Sequence, residues 1–444
     1  MAAGILLSRL TGLVRQRVLA HFLGLTAAAD AFAAAFRIPN LLQNLFGEGV
    51  LSASFIPVYA RLQAQGREQE ARETAAAVAG LLAGVVAVLV AVGVTAAPVL
   101  ASVVAPGFTD AKRELAVRII RILFPGAGLL VFSAWCLGIL NSHRRFFLSY
   151  AAPVVWNAAI ILATLLPPPG TDAERIVLWT AWGAVVGGLL QVVVQLPSVW
   201  RVNGPLRLAL GRGDANVRTV LRNFVPAFVG RGVVQLSAFV DSILASFLPT
   251  GAVAALANAQ TLYMLPVSLF GMSVAAAELP ELSAAAVAED SHGLLRERLE
   301  RGMAQVAFFI VPSAVALAAL GHVIAAAIFQ TGLFSADDAR YVWAILAGSA
   351  VGLLASSLGR LYSSAWYALH DTRTPLKYAA LRVALTTVLG YLAALQLPGL
   401  LNLEPRWGAA GLTASAGLAG WVEFLLLRRG MDRRIGSTRC LCGF

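Results

Sequence analysis

Long apolar blocks alternate with short polar stretches along the whole chain. The blocks run roughly 18 to 28 residues, the length a helix needs to cross a hydrocarbon core. Short alternating strands, the mark of a lipid-exposed β-barrel, are absent. Helices are then the remaining way to satisfy every backbone N–H and C=O in lipid. The pattern predicts an all-α integral membrane protein with about twelve transmembrane helices. Their expected positions are near 4–24, 27–60, 75–105, 118–140, 148–168, 176–200, 221–248, 252–285, 302–330, 340–366, 376–398 and 407–427. The second is too long for one straight crossing and holds Pro39 and Pro57, so a break or bend is expected there.

Composition sharpens this picture. The chain is 59% hydrophobic and only 13% charged, with mean hydropathy +0.76. Soluble domains carry about 25% charged residues, and a soluble fold of this size has too little interior to hide so much apolar surface. The net charge of +11 raises nucleic acid as a partner. The basic residues are spread over short loops beside apolar blocks, however, where they act as topology signals. Loops after even-numbered spans, with the tail, hold about twenty Lys/Arg against about six after odd-numbered ones. The richest are 201–222 and the tail with Arg428, Arg429, Arg433, Arg434 and Arg439. Both termini are therefore expected in the cytoplasm, which requires an even number of spans, and no nucleic-acid partner is expected. Arg is used almost to the exclusion of Lys, which occurs only as Lys112 and Lys377; genomic base composition accounts for that. Cys136, Cys440 and Cys442 define no disulfide framework. A Cys-x-Cys in a short tail is a weak metal signal, and no metal or cofactor is expected. No cleavable signal peptide precedes the first span, whose apolar run contains arginines.

An internal repeat is visible. FLGLTAAADAF followed by LFGEGVLSASFIP runs from Phe22 to Pro57, and FLPTGAVAALA followed by SLFGMSVAAAELP runs from Phe247 to Pro280. Leu45-Phe46-Gly47 and Leu269-Phe270-Gly271 fall in register, each with a proline about ten residues on. An even number of spans per half makes such repeats parallel, as in many secondary transporters. The expected organisation is an N-terminal six-helix lobe over 1–200, a cytoplasmic linker over 201–222, a C-terminal six-helix lobe over 223–430 and a basic cytoplasmic tail over 431–444. The two lobes would be related by a pseudo-two-fold axis along the membrane normal, with a central cavity. Chance similarity between Ala/Leu-rich helices is the competing explanation.

Charges inside spans cost about 2.5–3.5 kcal/mol each on insertion scales, so they face a cavity or a partner. Arg9, Arg15 and Arg17 lie in the first span, and Asp30, Arg37 and Glu48 in the second. The other half holds Arg231, Asp241, Glu278, Arg360, Arg382 and Glu423. An Arg-rich cavity suits an anionic group, because the guanidinium fork matches two phosphate oxygens and stays protonated when desolvated. Arg17, Arg37 and Arg382 are better read as snorkelling to an interface, Glu423 as interfacial, and Arg360 is open between the two readings. Arg9 and Arg15 point about 120° apart on an ideal helix, which a cavity wrapping the helix accepts and a narrow groove does not. Asp30 and Glu48 have three options: pairing with these arginines, holding the bundle together, or binding a proton or cation.

The run Ser8-Arg9-Leu10-Thr11-Gly12-Leu13-Val14-Arg15, with Ala29-Asp30-Ala31-Phe32 and Phe36-Arg37-Ile38-Pro39-Asn40-Leu41-Leu42, resembles the opening signature of the MurJ/MviN lipid II flippases. Phe46-Gly47-Glu48-Gly49, Phe55-Ile56-Pro57-Val58, Ala105-Pro106-Gly107-Phe108, Ile139-Leu140-Asn141, Phe329-Gln330-Thr331-Gly332 and Asp371-Thr372-Arg373-Thr374-Pro375 continue it in family order. Each is weak alone; the ordered set is specific. The resemblance implies a fold of the multidrug/oligosaccharidyl-lipid/polysaccharide exporter superfamily. It also implies a substrate, the undecaprenyl-diphosphate-linked peptidoglycan precursor, moved from the inner to the outer leaflet for cell wall biosynthesis. Arg9 and Arg15 match cationic cavity positions, Asp30 and Glu48 acidic ones, and Asn40 a motif Asn near the bend. Membrane lipid and other cell-wall synthesis proteins are the further partners it implies.

The departures are specific. Gln43 and then Asn44 follow Pro39-Asn40-Leu41-Leu42 where the family often has Arg, and Thr261 and Met264 stand before Pro266 where it offers Arg and Glu. Arg231 is a candidate replacement, within about a turn of where the first-half arginines fall under the repeat; the alternative places it at the membrane edge of the seventh span. The resemblance further implies two C-terminal spans beyond the twelfth, associated with a groove for the lipid tail, whereas the sequence ends with RRGMDRRIGSTRCLCGF. Three competing readings stand beside flipping: export of another lipid-linked oligosaccharide or a drug, a non-transporting membrane scaffold, and an enzyme acting on polyprenyl phosphates. The last lacks a loop cluster of Asp, His or metal ligands to do the chemistry, and no enzymatic activity is expected. No Walker motif suggests nucleotide as fuel.

Overall fold

Every regular element among the described residues is a helix, in a computed structural model that describes residues 2–204, 215–286 and 291–436. By contacts the chain divides into two compact units, Met1–Phe239 and Val240–Phe444. The first contains α1 (Ala2–Leu23), α2 (Ala27–Asn44), α3 (Ser52–Ser54), α4 (Ile56–Ala64), α5 (Glu68–Thr95), α6 (Ala97–Val104), α7 (Asp110–Ser142), α8 (Phe146–Leu165) and α9 (Ala173–Asn203). α10 (Ala215–Ser246) carries the boundary. The second unit continues with α11 (Ala252–Pro266), α12 (Met272–Ala285), α13 (Ser291–Phe329), α14 (Ala336–Ala368), α15 (Arg373–Tyr391), α16 (Leu397–Leu400) and α17 (Gly408–Ile435).

Among the described residues, eight helical stretches are long and apolar enough to cross a membrane. They cover the predicted spans except those near 4–24, 27–60, 148–168 and 221–248. The apolar run of α1 is interrupted by Arg9, Arg15 and Arg17, α2 is broken from α4, and the apolar part of α8 is the shorter Ala151–Leu165.

The breaks share a form. Wide π-helical turns occupy Leu45–Leu51, Val267–Gly271 and Leu392–Gln396. Pro266 ends α11 just before the second, Pro398 follows the third, and Pro57 opens α4 shortly after the first. A proline frees the carbonyl four residues before it, and at the third turn that carbonyl, of Ala394, falls inside the π segment. Both Leu-Phe-Gly triplets of the internal repeat lie in such turns.

Within each unit one helix is the hub. In the first it is α7, with Ile119, Leu123, Trp135, Cys136 and Ile139 buried against α2, α5 and α9. α8 approaches α9 closely because Gly183 and Gly187 face it; a Cβ on Gly187 would meet the Trp156 carbonyl at 2.9 Å. In the second unit α14 and α17 cross at Gly352 and Gly417, where a Cβ on Gly352 would lie 2.4 Å from the Gly417 Cα. Small residues of this kind let helix backbones touch where lipid supplies no hydrophobic drive. Hydrogen bonds then fix the crossing: Trp421 Nε1 donates to the Val351 carbonyl at 2.8 Å and Thr413 Oγ1 to that of Ile345 at 2.9 Å.

The turns after α7 and α14 share a geometry. Arg144 (φ 59°) and His370 (φ 58°) are left-handed, and the next residue's N–H reaches back, Arg145 to the Leu140 carbonyl at 2.9 Å and Asp371 to that of Trp366 at 3.0 Å. Each turn is also latched. Asp371 Oδ1 accepts from the Arg373 and Thr374 N–H groups at 3.0 Å, and Arg434 stacks on Trp366. On the other turn, His143 Nε2 lies 3.0 Å from the Tyr59 hydroxyl and 2.9 Å from Gln63 Nε2, and Tyr59 donates to Asn203 Oδ1 at 3.0 Å.

His143 lies outside the spans, and burial pushes its imidazole below its ordinary value; Arg145 adds to the shift and Glu68 opposes it. The latch therefore holds the neutral ring. Its contribution to stability is complete above the ordinary imidazole value of 6.5 and is lost as pH falls through the lower folded value. Thermal unfolding in detergent between about pH 8 and pH 5 should show this loss, and His143→Phe should flatten it. An unchanged pH profile in that variant would remove His143 from the account.

Candidate functional site

α1 presents its two arginines differently. Arg9 is exposed. Arg15 is half-buried and turns toward α8, where its Nη1 donates to Asn157 Oδ1 at 2.9 Å. Its Cζ lies 5.1 Å from the centroid of Phe36 and 5.5 Å from that of Trp156. Those two rings stack on each other at 5.4 Å with an interplanar angle of 13°. Among the described residues no carboxylate lies within ion-pair distance of Arg15, and its Nε is buried without a hydrogen-bond partner. Aromatic faces stabilise a cation without cancelling its charge. The guanidinium thus keeps a full positive charge in a low-dielectric setting, with donor capacity unspent.

Asp30 sits in the first turn of α2, capped by Thr26, and is fully buried. Lys112 from the start of α7 meets it, Nζ to Oδ2 at 2.5 Å, and also lies 4.2 Å from the Phe108 ring centroid. Of the options the sequence left open for Asp30, the structure supplies a lysine partner. Asn40 is half-buried on α2, one residue after Pro39. The side chains of Glu48 and Arg231 lie outside the described residues. Gln43 is half-buried, Thr261 turns its hydroxyl back to the Ala257 carbonyl at 3.0 Å, and Met264 is exposed.

In the second unit Arg382 and Glu423, read separately from sequence as interfacial, pair with each other at 3.1 Å. Arg360 is half-buried on α14, within electrostatic reach of that pair. Sequence reasoning missed Asn157, Trp156, Phe36 and Lys112. A lone amide in the apolar block of α8 and one of only two lysines in the chain were the available signals.

The comparisons with known proteins bear on what such a site serves. Residues 19–441 match the family model described as lipid II flippase MurJ. That match begins after Arg9 and Arg15, so the first run of the opening signature lies ahead of it, while Asp30 and Asn40 lie within it. The lipid II flippase MurJ of Burkholderia cenocepacia is 34% identical over 97% of this chain and 82% of its own length. The probable lipid II flippase MurJ of Haemophilus influenzae is 30% identical over 96% and 84%. Among solved structures, a lipid II flippase MurJ in an inward closed conformation superposes with a TM-score of 0.81 at 22% identity, over 98% of this chain and 89% of that one. An inward-facing multidrug resistance MATE family transporter of the MOP superfamily gives 0.78 at 16% identity, over 96% and 95%. Together with its apolar helices, these matches show that the chain belongs to the MurJ lipid II flippase family, multi-pass proteins of the bacterial inner membrane.

Proposed function

We propose that this protein flips lipid II from the cytoplasmic to the outer leaflet by alternating access, with no bond made or broken. The observation that carries the reading is Arg15: a half-buried guanidinium inside a helix, walled by aromatics and without a carboxylate partner among the described residues. Intramembrane cations are expensive and are ordinarily neutralised by a partner. One held with its charge intact suits an anionic visitor, and a diphosphate offers the paired oxygens that a guanidinium fork matches. The proposed head-binding set is Arg9, Arg15, Asp30, Asn40, Glu48 and Arg231.

Energy for the step is available without nucleotide. Each negative charge carried outward gains about 2.3 kcal/mol per 100 mV of membrane potential, and a diphosphate roughly twice that. We further propose about twelve spans with both termini cytoplasmic, in lobes over 1–200 and 223–430 joined by 201–222 and followed by the tail 431–444. The loop charges and the two Leu-Phe-Gly triplets in π turns support this arrangement.

Reconstitution tests the function. Proteoliposomes carrying the chain should move fluorescent lipid II between leaflets faster than empty vesicles, and faster with an inside-negative potential. A rate equal to that of empty vesicles would leave the scaffold reading. Gln43, Thr261 and Met264, at positions where a charge is expected, favour a second reading, export of a different lipid-linked oligosaccharide. Movement of such a lipid but not of lipid II would establish it.

A further inference from the structure

Two other cations on the apolar helices are neutralised by carboxylates from other helices: Lys112 by Asp30 and Arg382 by Glu423. Arg15 receives an amide instead. We infer that Asn157 is a positioning residue for Arg15, a neutral acceptor that fixes the guanidinium fork against the stacked Phe36 and Trp156 rings while leaving its charge to the diphosphate head. This rests on the reading of Arg15 as a head-binding residue.

The orientation of the amide follows from its second contact. Asn157 Nδ2 lies 3.4 Å from Thr11 Oγ1. The Thr11 hydroxyl donates to the carbonyls of Leu7 and Ser8, each at 3.0 Å, so toward Asn157 it can only accept. Asn157 must therefore direct its NH₂ at Thr11 and its oxygen at Arg15. The reverse setting would face donor with donor at Arg15 and acceptor with acceptor at Thr11. Thr11 and Arg15 are one turn apart on α1, so a single α8 side chain spans both and sets the rotation of α1 against α8.

The aromatic walls are themselves held. Trp156 Nε1 donates to the Ala184 carbonyl at 3.0 Å, and Gly187 leaves room for the indole, since a Cβ there would meet Trp156 Cδ1 at 2.8 Å. Phe36 stacks on Phe32 at 5.0 Å. The guanidinium plane is thus set by rigid neighbours, and one N–H is spent on Asn157. The buried Nε is without a partner, which marks an edge of the fork left for a ligand. A carboxylate at position 157 would hold the fork more tightly and cancel the charge the head needs.

The test uses the full chain in phosphatidylcholine nanodiscs and measures undecaprenyl diphosphate binding across ionic strength for the parent, Asn157→Asp, Asn157→Leu and Arg15→Ala. Asn157→Asp, almost identical in shape, should weaken binding about tenfold or more at low salt and flatten its salt dependence, because one effective charge is gone. Asn157→Leu should also weaken binding, with the parent's salt slope, because the charge stays and only its placement is lost. A purely structural role for Asn157 would shift affinity in both variants with no change of slope. Parent-like affinity and slope in Asn157→Asp, with Arg15→Ala abolishing binding, overturns the inference and leaves the Arg15 reading intact. Parent-like affinity in Asn157→Leu overturns it equally. Unchanged binding in Arg15→Ala would instead sink the head-binding reading, and the inference with it.

Discussion

Arg15→Ala should leave a flippase-depleted bacterium unable to grow on this protein, although the variant reaches the membrane in normal amount. Truncating one side of a desolvated charge pair costs about 2–5 kcal/mol, which for lipid II means a rise in Kd of about thirtyfold or more. The fold should tolerate the change, because Arg15 neutralises no described carboxylate and its removal strands no opposite charge. Arg15→Lys should restore growth only in part. It keeps the charge, but an ammonium does not lie flat against the Phe36 and Trp156 rings or match two phosphate oxygens. Full growth on Arg15→Ala at native expression would remove the central residue of the proposed site.

The second large effect falls on stability. Lys112→Met would leave the Asp30 carboxylate, fully buried at the start of α2, without its lysine. Breaking a buried pair from one side costs about 3–5 kcal/mol, because the remaining charge loses the opposite charge that offset its desolvation. Asp30→Asn strands Lys112 instead. It should cost less, since that ammonium is 15% exposed and also faces the Phe108 ring. Combining the two changes removes both charges and should recover much of the loss. Thermal unfolding in detergent reads all three. Single variants that melt with the parent would show the pair to be energetically idle and would return Asp30 to the alternatives of proton or cation binding.

The two residues also show where sequence reading stops. The all-helical membrane fold was legible because an apolar block long enough to span lipid has few alternatives. The break in the second span was legible because Pro39 and Pro57 cannot both sit in one straight helix. That the break takes the form of a π turn over Leu45–Leu51 was not, since it depends on how the freed carbonyls are satisfied in the folded chain. The importance of Arg15 could be read from its residue type in a span. Its partner Asn157 is 142 residues away, on a helix whose sequence is otherwise apolar. Likewise Asp30 and Lys112 are separated by 82 residues, and only packing of α2 on α7 joins them. Arg9 and Arg15 point about 120° apart on an ideal helix; Arg9 is exposed and Arg15 is turned into α8.

The π turns carry a consequence for how this family can change. A π turn holds one residue more than an α turn, so the faces of the helix above and below it are offset by about 100°. Removing a residue from Leu45–Leu51 would relax that turn to α and leave Asp30 and Phe36 in phase with Phe55 and Tyr59. Length changes in the spans therefore have three places to be absorbed, whereas a single insertion within α7 would turn its buried face, with Ile119 and Trp135, out toward lipid.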